Sequence, residues 1–305
     1  MKPYRSALWV AATRPAFLSV TLVGVLIGLA TSSFNGAFHS LWLATLTLIF
    51  AIVAHAGANV LNDYYDALSG CDANNKDRIF PFTGGSRFIQ EGLLSIKQTA
   101  VFGYVLLIAV IPAGLYLVSQ SGPGLIVIGL CGLFAGWAYS ATPLKLQSRG
   151  IGEITITLAW TLIVIGSDYV QRGSLAVTPI ICGMAYALLV ANVLFINQIP
   201  DLKADAISGK HTVIVRFGAG IAPLGSALFY LGATATIAIG IALGKLPASS
   251  SLVLLFWLPA AFALHKLCHK HMDRTSLTFA IRLTIISTLL AGILLTLSLL
   301  IAGKS

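Results

Sequence analysis

Long apolar runs broken by compact polar clusters set the rhythm of this chain. A run of about 20 mostly apolar residues crosses a bilayer as a helix, because its backbone groups must then be satisfied within the segment itself. Nine such runs are present: Pro15 to Phe34, Leu41 to Leu61, Thr99 to Ser119, Gly122 to Ala141, Gly152 to Val170, Val177 to Gln198, Ala219 to Gly244, Ser249 to Leu267 and Thr278 to Ala302. They predict an all-α polytopic membrane protein with nine transmembrane helices. The charged first residues read as the lead into a retained first helix, with no small-residue cleavage site behind them.

The connections differ in kind. Those at one side are short or featureless, whereas 62–98, 142–151 and 199–218 are long and chemically varied. A connection well beyond about 12 to 15 residues in a compact protein usually carries function. These three are expected to form a polar cap over a single domain, 1–305. Because the two most polar stretches each follow an even-numbered span, the first eight helices read as two parallel four-helix repeats closed by a ninth.

Composition strengthens the membrane assignment: 57% of the 305 residues are hydrophobic and 10% charged, against about 25% charged in soluble domains. Of the nineteen Lys and Arg, sixteen fall on the side of the N-terminus and the long connections, and only Arg172, Lys245 and Lys304 on the other. Basic residues remain in the cytoplasm, so the N-terminus and cap are expected on the cytoplasmic side of a bacterial inner membrane. Topology and anionic headgroups account for the net charge of +9, which leaves no call for a nucleic-acid partner. The four cysteines, Cys71, Cys131, Cys182 and Cys268, are scattered and form neither a disulfide framework nor a CxxC pattern. His265, His269 and His271 sit among Lys266, Lys270 and Arg274 at a helix end, where positive charge disfavours a metal.

Two polar stretches carry the candidate chemistry. In the first, Asn59, Asn62, Asp63 and Asp66 fall at i, i+3, i+4 and i+7, with Asp72 following. In the second, Asn197, Asp201 and Asp205 fall at i, i+4 and i+8, with Pro200 expected to kink or loosen the helix. Each set shares one helical face. Like charges held that close require a cation, and Mg²⁺ suits them because it uses one or two carboxylates and completes its octahedron with water and phosphate. A Mg²⁺-bridged phosphate ligand is therefore expected, with Asp63, Asp66, Asp72, Asp201 and Asp205 as metal ligands. Arg78, Arg87, Lys145 and Lys210 are candidate donors to the phosphate; Gly84 and Gly85 before Arg87 would let the backbone approach it. Among the aromatics, Tyr65 and Tyr139 suit the interfacial belt of a membrane protein and, if a carbocation forms here, their ring faces can stabilise it. Asp168 stands apart from the other acids and is expected to be a hydrogen-bonded structural group.

Nearly the whole chain resembles the UbiA superfamily of intramembrane aromatic prenyltransferases. The resemblance rests on Asn62-Asp63-Tyr64-Tyr65-Asp66 with Gly70 and Asp72, the run Thr83-Gly84-Gly85-Ser86-Arg87 on to Gly92, Tyr139-Ser140-Ala141-Thr142-Pro143-Leu144-Lys145, and Asp201 to Arg216. Its first motif is most similar to the menaquinone branch, which places its third Asp at the position of Asp72; many ubiquinone-branch members carry an acid at the position of Gly70. Ile199-Pro200 departs from that branch, where Arg often precedes the Asp at the position of Asp201.

The resemblance implies Mg²⁺-dependent transfer of a polyprenyl group from polyprenyl diphosphate to a small aromatic acceptor, 1,4-dihydroxy-2-naphthoate, with the tail in membrane lipid. It places Asp63, Asp66, Asp201, Asp205, Tyr65 and Tyr139 in catalysis and Asn59, Asn62, Asn197 and the four basic residues in substrate binding. Other acceptors, 4-hydroxybenzoate, homogentisate or a glycerol phosphate, fit the same scaffold. A cation or metabolite transporter is the reading from another class; acids gathered at one end rather than at the bilayer midplane argue against it.

Overall fold

The computed structural model describes residues 5–268 and 273–303. His269, Lys270 and His271, together with Lys2 and Lys304 from the charge count, lie outside the described residues.

Twelve α-helices are present among the described residues: α1 (Arg5–Ala12), α2 (Pro15–Phe34), α3 (Leu41–Ser69), α4 (Cys71–Asn74), α5 (Ile96–Ser121), α6 (Gly124–Ser140), α7 (Gly152–Arg172), α8 (Val177–Ile207), α9 (Val213–Phe217), α10 (Ala222–Ala242), α11 (Trp257–Leu267) and α12 (Arg274–Ala302). A 3₁₀ segment, Ala248–Phe256, leads into α11. Eight segments are long and apolar enough to cross a membrane. The predicted fourth span is a shorter apolar helix, α6, of 17 residues.

Two helices overrun the apolar runs that foretold them. The run ending at Leu61 continues as α3 to Ser69, and the run ending at Gln198 continues as α8 through Pro200 to Ile207. The first turns of the expected cap are thus helix, because the polar residues keep the helical period after hydropathy stops. Pro200 does not end α8; without an N–H it offers the Ile196 carbonyl no intrahelical donor.

The main core lies where α2, α7, α8, α10 and α12 meet, around Ile27, Val164, Tyr186, Tyr230, Phe256 and Leu295. Membrane helices gain no hydrophobic drive from one another and instead pack closely at small residues. Gly28 shows this on α2: a Cβ there would lie 2.4 Å from the Val164 carbonyl oxygen of α7. The outer faces of α5 and α6 present Val105, Ile108, Leu115, Val127 and Leu130 unburied, as lipid contact requires. Helix starts are capped by Ser40, Ser95, Thr212 and Asp273. α3 and α8 both finish at the end carrying the long connections, which brings their acidic turns together.

Candidate active site

The last turns of α3 place Asn59, Asn62 and Asp66 on the wall of a cavity of about 220 Å³. Gly70, at φ 75°, ends α3 and starts α4, which adds Cys71 and Asp72. From the opposite side, α8 contributes Asn197, Asp201 and Asp205, and Lys210 follows from the turn after it. The two acidic motifs, more than a hundred residues apart in sequence, therefore border one space.

Three links join them. Lys210 Nζ lies 2.6 Å from Asp66 Oδ1 and 3.6 Å from Asp205 Oδ1. Cys71 donates its thiol to Asp205 Oδ1 at 3.1 Å, and Asn75 donates to Asp201 Oδ1 at 2.6 Å. Burial would lower the Lys210 pKa, but Asp66 and Asp205 outweigh it and hold the ammonium charged. Asp72 has the opposite balance: burial and the Asp66 carboxylate push it up to about 7 against the pull of Arg14 and Lys210. Burial likewise raises the Cys71 thiol.

Asp63 is placed differently from Asp66. It pairs with Arg14 and accepts from the Ser86 backbone N–H at 3.0 Å, and it does not line the cavity. Arg14 also donates to Asn62 Oδ1 at 3.2 Å. Gly85 sits against this group at φ 66°, where a Cβ would lie 2.9 Å from both Asp63 Oδ1 and Asp72 Oδ2. Any side chain there would displace the carboxylates.

Several expected roles shift. Tyr65 is two residues from Asp63, about 200° around the helix, and its hydroxyl bonds Tyr104 of α5 at 2.7 Å, away from the cavity; Tyr139 does line it. Arg87, at φ 65°, folds back to donate to the carbonyls of Asp72 at 2.8 Å and Asn75 at 3.2 Å, so it clamps the α4 backbone. Arg78 lies over the Phe80 ring, 5.6 Å from its centroid, and like Lys145 is outside the cavity wall. Asn59 borders the cavity while donating to the Thr13 carbonyl at 3.0 Å. Asn62 donates to Asp66 and to Ser140, each at 3.2 Å.

Arg14, Cys71, Asn75, His55 and Trp160 border the cavity without having been singled out. For Arg14 the only signal was a basic residue before Pro15, which topology already explained. The others carry no motif.

Among the described residues, no three His, Cys, Asp or Glu side chains converge to cage a metal. The donor set still fits a hard divalent ion shared with a phosphate: Asp66, Asp72, Asp201 and Asp205 are oxygen donors on one cavity, and Mg²⁺ needs only one or two carboxylates beside phosphate and water.

The UbiA prenyltransferase family model matches residues 17–286. The chain is 29% identical over 222 residues to the 1,4-dihydroxy-2-naphthoate octaprenyltransferase of Escherichia coli, covering 70% of each chain. It is 27% identical over 215 residues to the protein of that name from Mycobacterium leprae, again covering 70% of each. Among solved structures, a UbiA homolog from Archaeoglobus fulgidus bound to DMAPP and Mg²⁺ shares the fold at a TM-score of 0.63 and 16% identity, over 94% of this chain and 98% of that one.

Proposed function

The chain belongs to the UbiA prenyltransferase family, and we propose that this membrane prenyltransferase joins a polyprenyl group to 1,4-dihydroxy-2-naphthoate in a Mg²⁺-dependent reaction. The observation that carries this reading is the convergence of Asp66, Asp72, Asp201 and Asp205 on a cavity whose remaining wall is largely apolar. The names of the relatives in Escherichia coli and Mycobacterium leprae support the naphthoate acceptor.

Asp66, Asp72, Asp201 and Asp205 would hold the metal, and Mg²⁺, when bound, neutralises diphosphate and makes it a better leaving group. Lys210 lies between the two acidic motifs and supplies a direct cationic donor to the phosphates. Arg14 and the Ser86 N–H hold Asp63 on the cavity's outer side, and Arg87 fixes the backbone that carries Asp72. As the prenyl C1–oxygen bond breaks, allylic positive charge develops near Tyr139, whose ring face stabilises it without a nucleophilic base. Phe17, Ile156, Val190 and Leu194 keep water from that charge. The naphthoate ring carbon bonds prenyl C1, its carboxylate departs as CO₂, and diphosphate leaves with the oxygen.

The sixteen-to-three distribution of basic residues supports a cytoplasmic-facing site in a bacterial inner membrane. Purified protein given Mg²⁺, a polyprenyl diphosphate and dihydroxynaphthoate is expected to release diphosphate and yield a prenylated naphthoquinol, read by mass spectrometry. Exclusive prenylation of another acceptor in a competition assay would overturn the naphthoate assignment.

A further inference from the structure

The cavity has two parts of different chemistry. Its acidic part is built by the ends of α3, α4 and α8; its inner part is walled by Phe17, Val20, Ile156, Val190 and Val193 and carries few polar groups. One of them is Trp160 of α7, only 7% exposed, whose indole Nε1 has no hydrogen-bond partner. A buried indole N–H normally finds an acceptor, since leaving it unpaired is costly. Beside it lies His55 of α3, ring centroids 5.0 Å apart and nearly perpendicular, with Nδ1 held by Thr21 at 2.8 Å.

Position relates this pair to the chemistry. His55 precedes Asn59 by one helical turn and Asp63 by two, about 6 and 12 Å along the axis. On the facing wall, Gln198 donates to Glu153 at 2.6 Å, which fixes the register of α7 against α8. Asn197 then stands nearer the acids than Trp160, and its buried Oδ1 also lacks a partner. An unpaired donor and an unpaired acceptor at two heights match a ring with oxygens at separate positions. An isoprenoid tail has no atom to satisfy either.

We infer that Trp160 is a specificity-determining residue for the aromatic acceptor, its indole N–H donating to a ring oxygen in the inner chamber with His55 alongside. The inference rests on the prenyl-transfer reading and names where the acceptor sits within it.

Steady-state kinetics of the purified enzyme with Mg²⁺, dihydroxynaphthoate and a polyprenyl diphosphate test it. Wild-type turnover comes first: its absence with every aromatic acceptor tried would defeat the functional reading and not this assignment alone. Given turnover, Trp160→Phe, which removes the N–H and keeps an aromatic ring, is expected to raise the acceptor KM about three- to tenfold while the KM for diphosphate substrate stays put. With acceptor analogues lacking one ring oxygen in turn, that penalty should vanish for one of them. His55→Gln, which retains a polar side chain, should give a smaller shift in the same constant. An unchanged acceptor KM in a folded Trp160→Phe enzyme, or a rise confined to the diphosphate substrate, would overturn the proposal.

Discussion

At one end of the helix bundle, Asp168 accepts two bonds from Arg172, at 2.7 and 2.9 Å, and a third from Thr31 at 2.8 Å. At the other end, Asp63, Asp66, Asp72, Asp201 and Asp205 gather around two cations, Arg14 and Lys210. Both regions bury carboxylates, but the first meets its one acid with three donor bonds and does not border the cavity. The first charge is neutralised within α7 and tied to α2 by the Thr31 hydroxyl; on the proposed reading, carboxylate in excess over cation suits the second region to further positive charge. Burial of an acid alone therefore says little about function.

The comparison can be broken most decisively at the acids themselves. EDTA is expected to abolish prenyl transfer and added Mg²⁺ to restore it. Asp66→Asn combined with Asp201→Asn should lower kcat at least about a hundredfold, as loss of preorganised charge stabilisation does, with a smaller loss of melting midpoint in detergent, because Lys210 loses Asp66 but keeps Asp205 and crowding of like charges is relieved. Asp168→Asn should do the reverse: it strands a partly buried Arg172 and costs about 3–5 kcal/mol of stability, while specific activity of the folded fraction persists. Activity lost and stability kept in that variant would erase the distinction between the two ends.

Smaller effects sharpen it. Arg87→Ala loses the guanidinium Nη1 that donates to both the Asp72 and Asn75 carbonyls and is expected to reduce activity about ten- to a hundredfold, in the range seen when supporting partners of metal ligands are removed. Smallest of all, Tyr65→Phe should cost about 0.5–1.5 kcal/mol of stability through the lost Tyr104 hydrogen bond and leave turnover nearly untouched. A large loss of kcat there would return Tyr65 to the chemistry.

Much of this was legible in the chain because membrane helices advertise themselves. Hydropathy located eight of the nine expected spans, and from the two spaced sets Asn59, Asn62, Asp66, Asn197, Asp201 and Asp205 line one cavity, whereas Asp63, expected on the same face, does not. Hydropathy also stopped α3 and α8 too early, since it sees apolarity and not helical period. Basic residues were the least readable. Arg14, Arg78, Arg87 and Lys145 look alike as charges near a membrane surface, and only tertiary placement makes Arg14 an ion-pair partner and Arg87 a backbone clamp. Trp160 gave no signal, because an indole on an apolar helix is core until its N–H is found unpaired.

The overrun of α3 and α8 has a further meaning. At 29 and 31 residues they are about 44 and 46 Å long, well beyond a hydrocarbon core of about 30 Å. With the opposite end of each at one edge of that core, their acidic turns would stand at headgroup depth on the other side. On the proposed reading, a lipid diphosphate would present its polar end there while its chain stays among other chains. Lifting that chain into water would cost about 0.8 kcal/mol for every methylene exposed, and helices of this length would spare that lift.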